Sequence, residues 1–152
     1  MADTVTEEAF MRQALALARE AAEAGEVPVG SVVVAGGEIV GRGRNSPAAM
    51  HDPTAHAEML ALRAAAAAIG NYRLEQATVF VTLEPCAMCA GALVAARVQR
   101  LVFGTRDLRF GAVRSKFRIA DSELLNHRVD IVEGVLAVDC VELLQRFFAA
   151  RR

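Results

Sequence analysis

The amino-acid sequence predicts an α/β fold in which helices flank a mostly mixed or parallel sheet. After an N-terminal helix and a hairpin, strand-like and helix-like segments alternate to the end of the chain, which is typical of this class. The run TVFVTL, residues 78–83, is almost continuously apolar, as expected for a central strand covered on both faces. The chain has 152 residues, of which 54% are hydrophobic, and no linker or repeat divides it. We therefore expect a single domain over residues 1–152.

The first predicted elements are a helix and a hairpin. Thr4 or Thr6 is suited to cap the helix, and apolar residues then recur at helical spacing until Gly25. Residues 29–35 and 38–45 predict two antiparallel strands, because the pair of glycines between them favours a tight turn.

A second helix is predicted to begin at Pro53 and to end at Gly70. Proline is well suited to the first position of a helix, Asp52 to the cap before it, and glycine to the end. The segment that leads into this helix, from Ser46 onward, is predicted to form a loop.

The rest of the chain alternates between strands and helices. The strand over residues 77–83 is followed by a helix that carries two cysteines in its first turn. Residues 98–104 and 127–135 predict a fourth strand and a weaker fifth, separated by a long basic segment that contains glycine. Residues 137–152 predict an amphipathic helix that ends in arginines, where the helix dipole favours cations.

The two cysteines of that helix indicate a chemical function. Cys86 and Cys89 stand at positions i and i+3 directly after Pro85, so they share one face of the first helical turn. The positive end of the helix dipole stabilises thiolates there. Three interpretations fit the spacing: a redox-active dithiol, half of a metal site, or two buried small hydrophobic residues.

A second motif, His56-Ala57-Glu58, favours the metal site. It lies at the start of another helix, and both helix starts can meet at the end of the sheet where α/β proteins bind ligands. One imidazole with the thiolates of Cys86 and Cys89 is a ligand set suited to zinc. The spacing indicates no fourth ligand, as expected for a catalytic zinc that keeps one position for water. Conceivable fourth ligands are His51, His127 and Cys140.

The acid of this motif is predicted to act beside the metal. Residues two positions apart do not share a helix face, so Glu58 is expected to lie near a metal-bound water rather than to hold the metal. This arrangement requires His56 to stand at the very entry of the helix. The alternative is that Glu58 is an ordinary acidic residue on the helix surface.

Positive charge is concentrated in one part of the chain. The net charge is −1, but residues 97–118 contain seven basic residues and one acid, Asp107. This segment is either an ordinary solvated face or a surface that contacts phosphates beside a site. Because only 5% of the residues are aromatic, extensive stacking on bases is not expected. Four aromatic residues are expected to belong to the core instead: Phe103, Phe110, Phe147 and Phe148.

The sequence predicts a cytoplasmic protein without membrane contacts. No apolar run is long enough to span a bilayer, and the acidic first ten residues lack the apolar region of a signal peptide. The three cysteines cannot all pair with one another, and nothing indicates an oxidising compartment. Cys140 is expected to be buried and unreactive.

The pattern His-x-Glu followed by Pro-Cys-x-x-Cys is the established signature of zinc-dependent nucleobase deaminases. Together with the stretches HDPTAHAEMLALR, NYRL and LNHRV, it makes the chain resemble the bacterial tRNA-specific adenosine deaminases over nearly its whole length. The resemblance implies a three-layer αβα, cytidine-deaminase-like fold with a five-stranded mixed sheet, and a homodimer. The activity it implies is conversion of adenosine to inosine at the wobble position of a tRNA anticodon stem-loop.

The resemblance also assigns roles to individual residues. One Zn²⁺ per subunit would be held by His56, Cys86 and Cys89, with Glu58 as the proton shuttle for a zinc-activated water. Asn45 would hydrogen-bond the flipped base. Contacts with the base or with the flanking nucleotides are implied for Val29, Ala55, Asp107, Asn126 and His127. The segment 108–125 departs from the usual sequence of the family, so the contacts with the RNA flanks and the anticodon preference do not carry over from the resemblance.

Two other classes of function are compatible with the motifs. A deaminase of the same superfamily could act on a free nucleobase or nucleoside, such as cytosine or guanine, and would then be inactive on RNA. A non-enzymatic module would hold zinc without turnover, or would form a reversible disulfide without metal. The basic segment and the family motifs favour the RNA deaminase.

Overall fold

The computed structural model describes residues 4–151. Five strands and five helices lie within that range. In chain order they are α1 (Thr4–Glu23), β1 (Gly30–Ala35), β2 (Glu38–Arg44), α2 (Pro47–Met50), α3 (Ala57–Ile69), β3 (Thr78–Leu83), α4 (Ala87–Ala95), β4 (Arg100–Thr105), β5 (Asp130–Glu133) and α5 (Ala137–Ala149).

The five strands form one mixed sheet in the order β2-β1-β3-β4-β5. Strand β1 pairs antiparallel with both β2 and β3, whereas β3, β4 and β5 are parallel. The apolar strand β3 is therefore central, as its sequence predicts. The predicted class, a five-stranded mixed sheet flanked by helices, is confirmed.

Helices cover both faces of the sheet, and the alternation of side chains along β3 shows how. Val79 and Val81 point into a core that is shared with α3 and α4. Phe80 points the other way, into a core formed with Met11 and Ala14 of α1. Because β3 is buried on both faces, it is apolar at nearly every position.

Helix α3 lies unusually close to strand β2. A Cβ atom added to Gly41 or Gly43 would collide with the backbone of α3, at Ala61 and Ala57 respectively. The glycines thus permit an approach that no larger residue allows. This contact fixes the position of α3, whose first turn borders the functional site described below.

Two predictions about helices are wrong, and a third is narrowed. Of the two predicted caps of the first helix, Thr4 stands at the start of α1 within the described residues, and Thr6 lies inside it. The short helix α2 occupies a segment predicted to be a loop. Helix α3 begins at Ala57 rather than at Pro53, because the Asp52 carboxylate accepts hydrogen bonds from the Thr54 N–H (2.8 Å) and hydroxyl (2.7 Å). These bonds hold the chain in a turn.

The ends of the elements agree better with the sequence. Gly70 ends α3 in the left-handed conformation, with φ of 78°. Gly36 and Gly37 form the hairpin turn, both with positive φ. Helix α5 ends at Ala149 with Arg146 in its last turn, so the predicted terminal arginines follow the helix, and Arg152 lies outside the described residues. None of the helices in residues 4–151 is long and apolar enough to cross a bilayer.

Candidate active site

A histidine and two cysteines meet at the carboxyl end of the central strands. His56 stands immediately before α3, with the extended angles φ −74° and ψ 153°, and Cys86 stands in the same position before α4. Cys89 follows in the first turn of α4 and is fully buried. The Nδ1 atom of His56 lies 3.5 Å from the sulfur of Cys86 and 3.5 Å from that of Cys89. Two helix starts therefore bring three potential ligands together.

The geometry of this cluster fits a tetrahedral zinc ion. With Zn–S bonds of about 2.3 Å and Zn–N bonds of about 2.0 Å, tetrahedral coordination places nitrogen and sulfur about 3.5 Å apart. Both observed nitrogen–sulfur distances have this value, and the three ligand atoms lie within 4.8 Å of one another. In residues 4–151 no other group of histidine, cysteine or acidic side chains is arranged to hold a metal.

The three residues considered as a fourth ligand lie elsewhere. His51 is exposed at the end of α2. The ring Nε2 of His127 lies 2.7 Å from the carbonyl oxygen of Val98. Cys140 is buried in α5 beside Gly104. Among the described residues the cluster thus offers three ligands, which leaves room for a fourth that is not protein.

The charges of the two thiols differ. The pKa of Cys86 is lowered to about 4, chiefly because the Cys89 thiol donates a hydrogen bond to it, and His56 adds to the effect. The pKa of Cys89 is raised, because it is that donor and because it is buried. The pair alone readily carries one negative charge. A bound divalent cation would allow both sulfurs to ionise.

Glu58 borders the same cluster from the first turn of α3. Only 4% of the residue is exposed, and its carboxylate interacts with the Cys89 thiol and with its own backbone N–H. Burial raises the pKa of Glu58 to about 7. A carboxyl group with this pKa exchanges protons readily at neutral pH, which suits a general acid and base.

A cavity of about 640 Å³ opens above the cluster, within the range of small-molecule sites. Of the residues predicted to act in the site, it is lined by Val29, Asn45, His56, Glu58, Cys86 and Asp107. The backbone N–H of Asn45 donates to the carbonyl of Val29 at 3.0 Å, which holds the two residues side by side. The remaining lining residues are Val27, Leu83, Glu84, Arg106, Leu108, Arg109, Phe110, Leu144 and Phe148.

Three residues with implied substrate contacts do not line this cavity. Ala55 is fully buried, and its backbone oxygen accepts a hydrogen bond from the Ser46 N–H. His127 contacts the backbone just before β4, at the opposite end of the sheet, and the oxygen of Asn126 accepts a bond from Arg97. Contacts between these three residues and a nucleotide therefore stay predictions. None of the three lines the cavity formed by this single chain.

The expectation that all four phenylalanines belong to the core is half wrong. Phe103 and Phe147 are buried, whereas Phe110 is 62% exposed and Phe148 49% exposed, and both line the cavity. The Arg109 guanidinium lies 5.4 Å from the centre of the Phe110 ring. The position of Phe110 could have been inferred, because the loops after parallel strands border the ligand site. The amphipathic pattern of α5 gives no such signal for Phe148.

The sequence matches the MafB19-like deaminase family over residues 5–152. The tRNA-specific adenosine deaminase of Haemophilus influenzae is 48% identical over 96% of this chain and 85% of its own. A solved structure from a study of A-to-I editing by tRNA:A34 deaminases superposes with a TM-score of 0.86 at 41% identity, covering 89% of this chain and 98% of that one.

A more distant structure is the guanine deaminase of Nitrosomonas europaea. It superposes with a TM-score of 0.82 at 25% identity and covers 93% of this chain and 84% of its own. The five-stranded sheet flanked by helices is thus shared with deaminases of different substrates. The much higher identity lies with the RNA-editing relatives, and this chain belongs to the tRNA-specific adenosine deaminases within the MafB19-like deaminase family.

Proposed function

We propose that this enzyme hydrolyses adenosine to inosine at the wobble position of a tRNA anticodon loop. The observation that carries the proposal is the cluster of one imidazole and two sulfurs, beside a buried carboxyl group, at the floor of a cavity. Relatives named tRNA-specific adenosine deaminase support the substrate.

The proposed metal is one Zn²⁺ per subunit, held by His56, Cys86 and Cys89. Soft thiolates with an imidazole select zinc among the common divalent ions, and the nitrogen–sulfur spacing supports this choice. When bound there, zinc supplies Lewis-acid activation of a water molecule. The partial positive charges of the two helix starts stabilise the thiolates that hold it.

Glu58 carries protons in the proposed reaction. Its carboxylate accepts a proton from the water and delivers it to the ring nitrogen beside the reacting carbon. The water oxygen bonds to that carbon, and the bond between the carbon and the exocyclic amine breaks. Glu58 passes a further proton from the added oxygen to the amine, which leaves as ammonia. One water enters and one ammonia leaves, so the overall reaction balances. Asn45 and Val29, held side by side on the cavity wall, orient the base.

The target nucleotide must leave its stack to enter the cavity, which an anticodon loop permits at low cost. The cations proposed to contact its phosphates form a smaller set than the sequence indicates. Arg97, Arg100, Arg106 and Arg114 are held by partners within the chain. Among the described residues, no ion pair engages the three other basic residues of the segment, which are exposed: Arg109, Lys116 and Arg118.

The proposed location is the cytoplasm, where the tRNA substrate is found. The proposed working form is a homodimer. Large exposed hydrophobic side chains in residues 117–125 support association, including Phe117 (61% exposed) and Leu124 (93% exposed). Light scattering on the purified protein measures the mass in solution. A mass near twice 16.2 kDa is expected, and a monomer at working concentration would contradict the dimer.

The test of function is incubation of the zinc-loaded protein with an anticodon stem-loop that has adenosine at the wobble position, followed by nucleoside analysis. Inosine is expected from the hairpin, and no turnover from free adenosine, guanine or cytosine. The structural likeness to a guanine deaminase makes free guanine the most informative alternative substrate. Turnover of a free base without turnover of the hairpin would overturn the proposal in favour of a nucleobase deaminase.

A further inference from the structure

A buried carboxylate that the proposed chemistry does not use lies next to the cysteine motif. Glu84 follows strand β3, and only 2% of it is exposed. It accepts five hydrogen bonds, and all five donors belong to the segment 107–115, which we call the cavity loop. The donors are the N–H groups of Asp107 (3.0 Å), Val113 (3.0 Å), Arg114 (2.7 Å) and Ser115 (3.0 Å) and the Ser115 hydroxyl.

These bonds exclude Glu84 from proton transfer. A carboxylate has about four lone-pair positions, and two donors on one oxygen with three on the other occupy them all. Without this acceptor, four backbone N–H groups would be left without partners in a largely buried place. Buried N–H groups without an acceptor destabilise the conformation that buries them, so the cavity loop would change its shape.

Besides Glu84, the cavity loop is held by the Ala112 N–H, which donates to the Pro85 carbonyl (2.8 Å), and by the ion pair between Arg114 and Asp121. It contains no helix or strand, and it wraps so tightly around the acid that a Cβ atom at Gly111 would collide with the carboxylate of Glu84 and with the Asp107 carbonyl. Its outer turn is held by Asp107, whose carboxylate accepts bonds from the N–H groups of Arg109 (3.1 Å) and Phe110 (3.2 Å).

The outer turn of the loop forms one wall of the cavity. Asp107, Leu108, Arg109 and Phe110 all line it, whereas the metal cluster and Glu58 belong to other segments of the chain. The wall therefore presents a cation, an aromatic ring and an acid to whatever enters, in positions set by the bonds to Glu84. A shift of the outer turn would move these groups, whereas His56, Cys86, Cys89 and Glu58 lie outside the cavity loop.

We propose that Glu84 is a positioning residue for the substrate: it holds the cavity loop in the shape that binds RNA. The inference rests on the proposed function for its substrate, and it predicts a specific kinetic signature. Loss of Glu84 removes binding that is present throughout the reaction, so KM rises while kcat changes little.

The first variant is Glu84→Gln, which keeps the size of the side chain and turns an NH₂ group toward N–H donors. We expect KM for the stem-loop to rise at least about tenfold, with kcat within about threefold of the parent and the same zinc content. Gly111→Ala disturbs the same contact from the side of the loop and should give the same signature. Ser115→Ala removes one donor only and should raise KM by less.

The matched control is Glu7→Gln. Glu7 is also a buried carboxylate, but it pairs with Arg100 between α1 and β4 and does not line the cavity. This variant should lose thermal stability and leave KM unchanged. A KM that follows stability in all variants would mean that Glu84 is only structural, and would overturn the inference.

Hydrogen exchange separates this inference from the proposed function, because it needs no substrate. Glu84→Gln should expose the amides of Asp107, Val113, Arg114 and Ser115 to exchange and leave the amides of the sheet protected. If the parent protein fails to deaminate the hairpin, the function is wrong and the exchange result still tests the loop. Unchanged protection, or a fall in kcat with constant KM, would overturn the role of Glu84. Should Glu84→Gln not fold, Gly111→Ala and Ser115→Ala decide by the same measurements.

Discussion

At the scale of single residues, the chemistry depends on the conformation of His56. Residues two apart on a regular helix face different directions, yet His56 and Glu58 border the same cluster. This is possible because His56 is extended and only Glu58 belongs to the helix. The sequence predicts such an entry position for His56, but the predicted start of the helix is wrong by four residues. The hydrogen bonds from Thr54 to the Asp52 carboxylate favour a turn over a helix at this point, and helix propensities do not include them.

The first prediction concerns Glu58. Replacing it by glutamine keeps the shape and removes the group that moves protons, so turnover should fall by about 10²–10⁴-fold or more. Zinc should stay bound at one ion per chain, because the three ligands are untouched. Inosine formation and atomic absorption measure the two quantities. A variant with a rate close to that of the parent would remove Glu58 from the mechanism.

The second prediction concerns the thiols of protein stripped of metal. The pKa of Cys86 is lowered to about 4, so at pH 6 it is a thiolate, the form that reacts with iodoacetamide. Burial raises the pKa of Cys140 to about 12, so that thiol stays protonated and unreactive at pH 6 and at pH 8. Mass spectrometry of tryptic peptides locates the modification.

Zinc provides the control for this reactivity. Loading the metal before alkylation should protect Cys86, since the ligand sulfur is then coordinated. Modification of Cys140 in the folded protein, or an inert Cys86 in the stripped protein, would contradict the assigned environments. Reversible disulfide formation in place of metal binding would favour the redox interpretation.

At the scale of elements, the strands were more predictable than the segments that build the site. The apolar run of β3 fixes its central place, and the glycine pair fixes the hairpin. Pairing order and the packing of α3 against Gly41 and Gly43 depend on contacts between distant parts of the chain, which no local pattern encodes. The shape of the cavity loop depends on Glu84, 23 to 31 residues away in sequence.

The third prediction concerns the contact between α3 and β2. Gly43→Ala places a methyl group against the backbone of α3 at Ala57 and Ala61, so the helix must move. We expect a loss of about 1–3 kcal/mol in the free energy of unfolding, and weaker zinc binding because His56 stands immediately before α3. Denaturant unfolding and zinc titration measure these effects.

Gly91→Ala is the matched control for that substitution. Gly91 lies inside α4, and an added Cβ meets nothing within 4 Å. Alanine is the better helix former by about 1 kcal/mol, so this variant should be as stable as the parent or more stable. Equal effects of the two substitutions would show that α3 tolerates displacement.

At the scale of the whole molecule, the net charge hides an uneven distribution. The total of −1 excludes a protein that is basic everywhere, and the sequence alone indicates seven basic residues in one segment. The structure assigns four of them to internal partners, which composition cannot distinguish from free cations. The family motifs predict the site from sequence because its ligands are adjacent to the starts of two helices. The two cavity-lining residues of α5, Leu144 and Phe148, could not be assigned to the site without the folded structure.

The fourth prediction concerns salt. If Arg109, Lys116 and Arg118 contact phosphates of a single-stranded loop, the logarithm of the association constant should fall with the logarithm of salt concentration with a slope of about −2. Replacing Lys116 and Arg118 by alanine should flatten this slope by more than about half. Fluorescence anisotropy of a labelled hairpin gives the values. Arg12→Ala, which removes an exposed cation from α1, should leave the slope unchanged, and a flat response in the parent would contradict the RNA-facing surface.

The decisive experiment follows inosine formation in an anticodon stem-loop as zinc is returned to the stripped protein. We expect no inosine without metal and a rate that rises in proportion to bound zinc until there is one ion per chain. Activity that survives complete removal of zinc, or a fully loaded protein that leaves the wobble adenosine unchanged, would rule out the proposed zinc-dependent deamination.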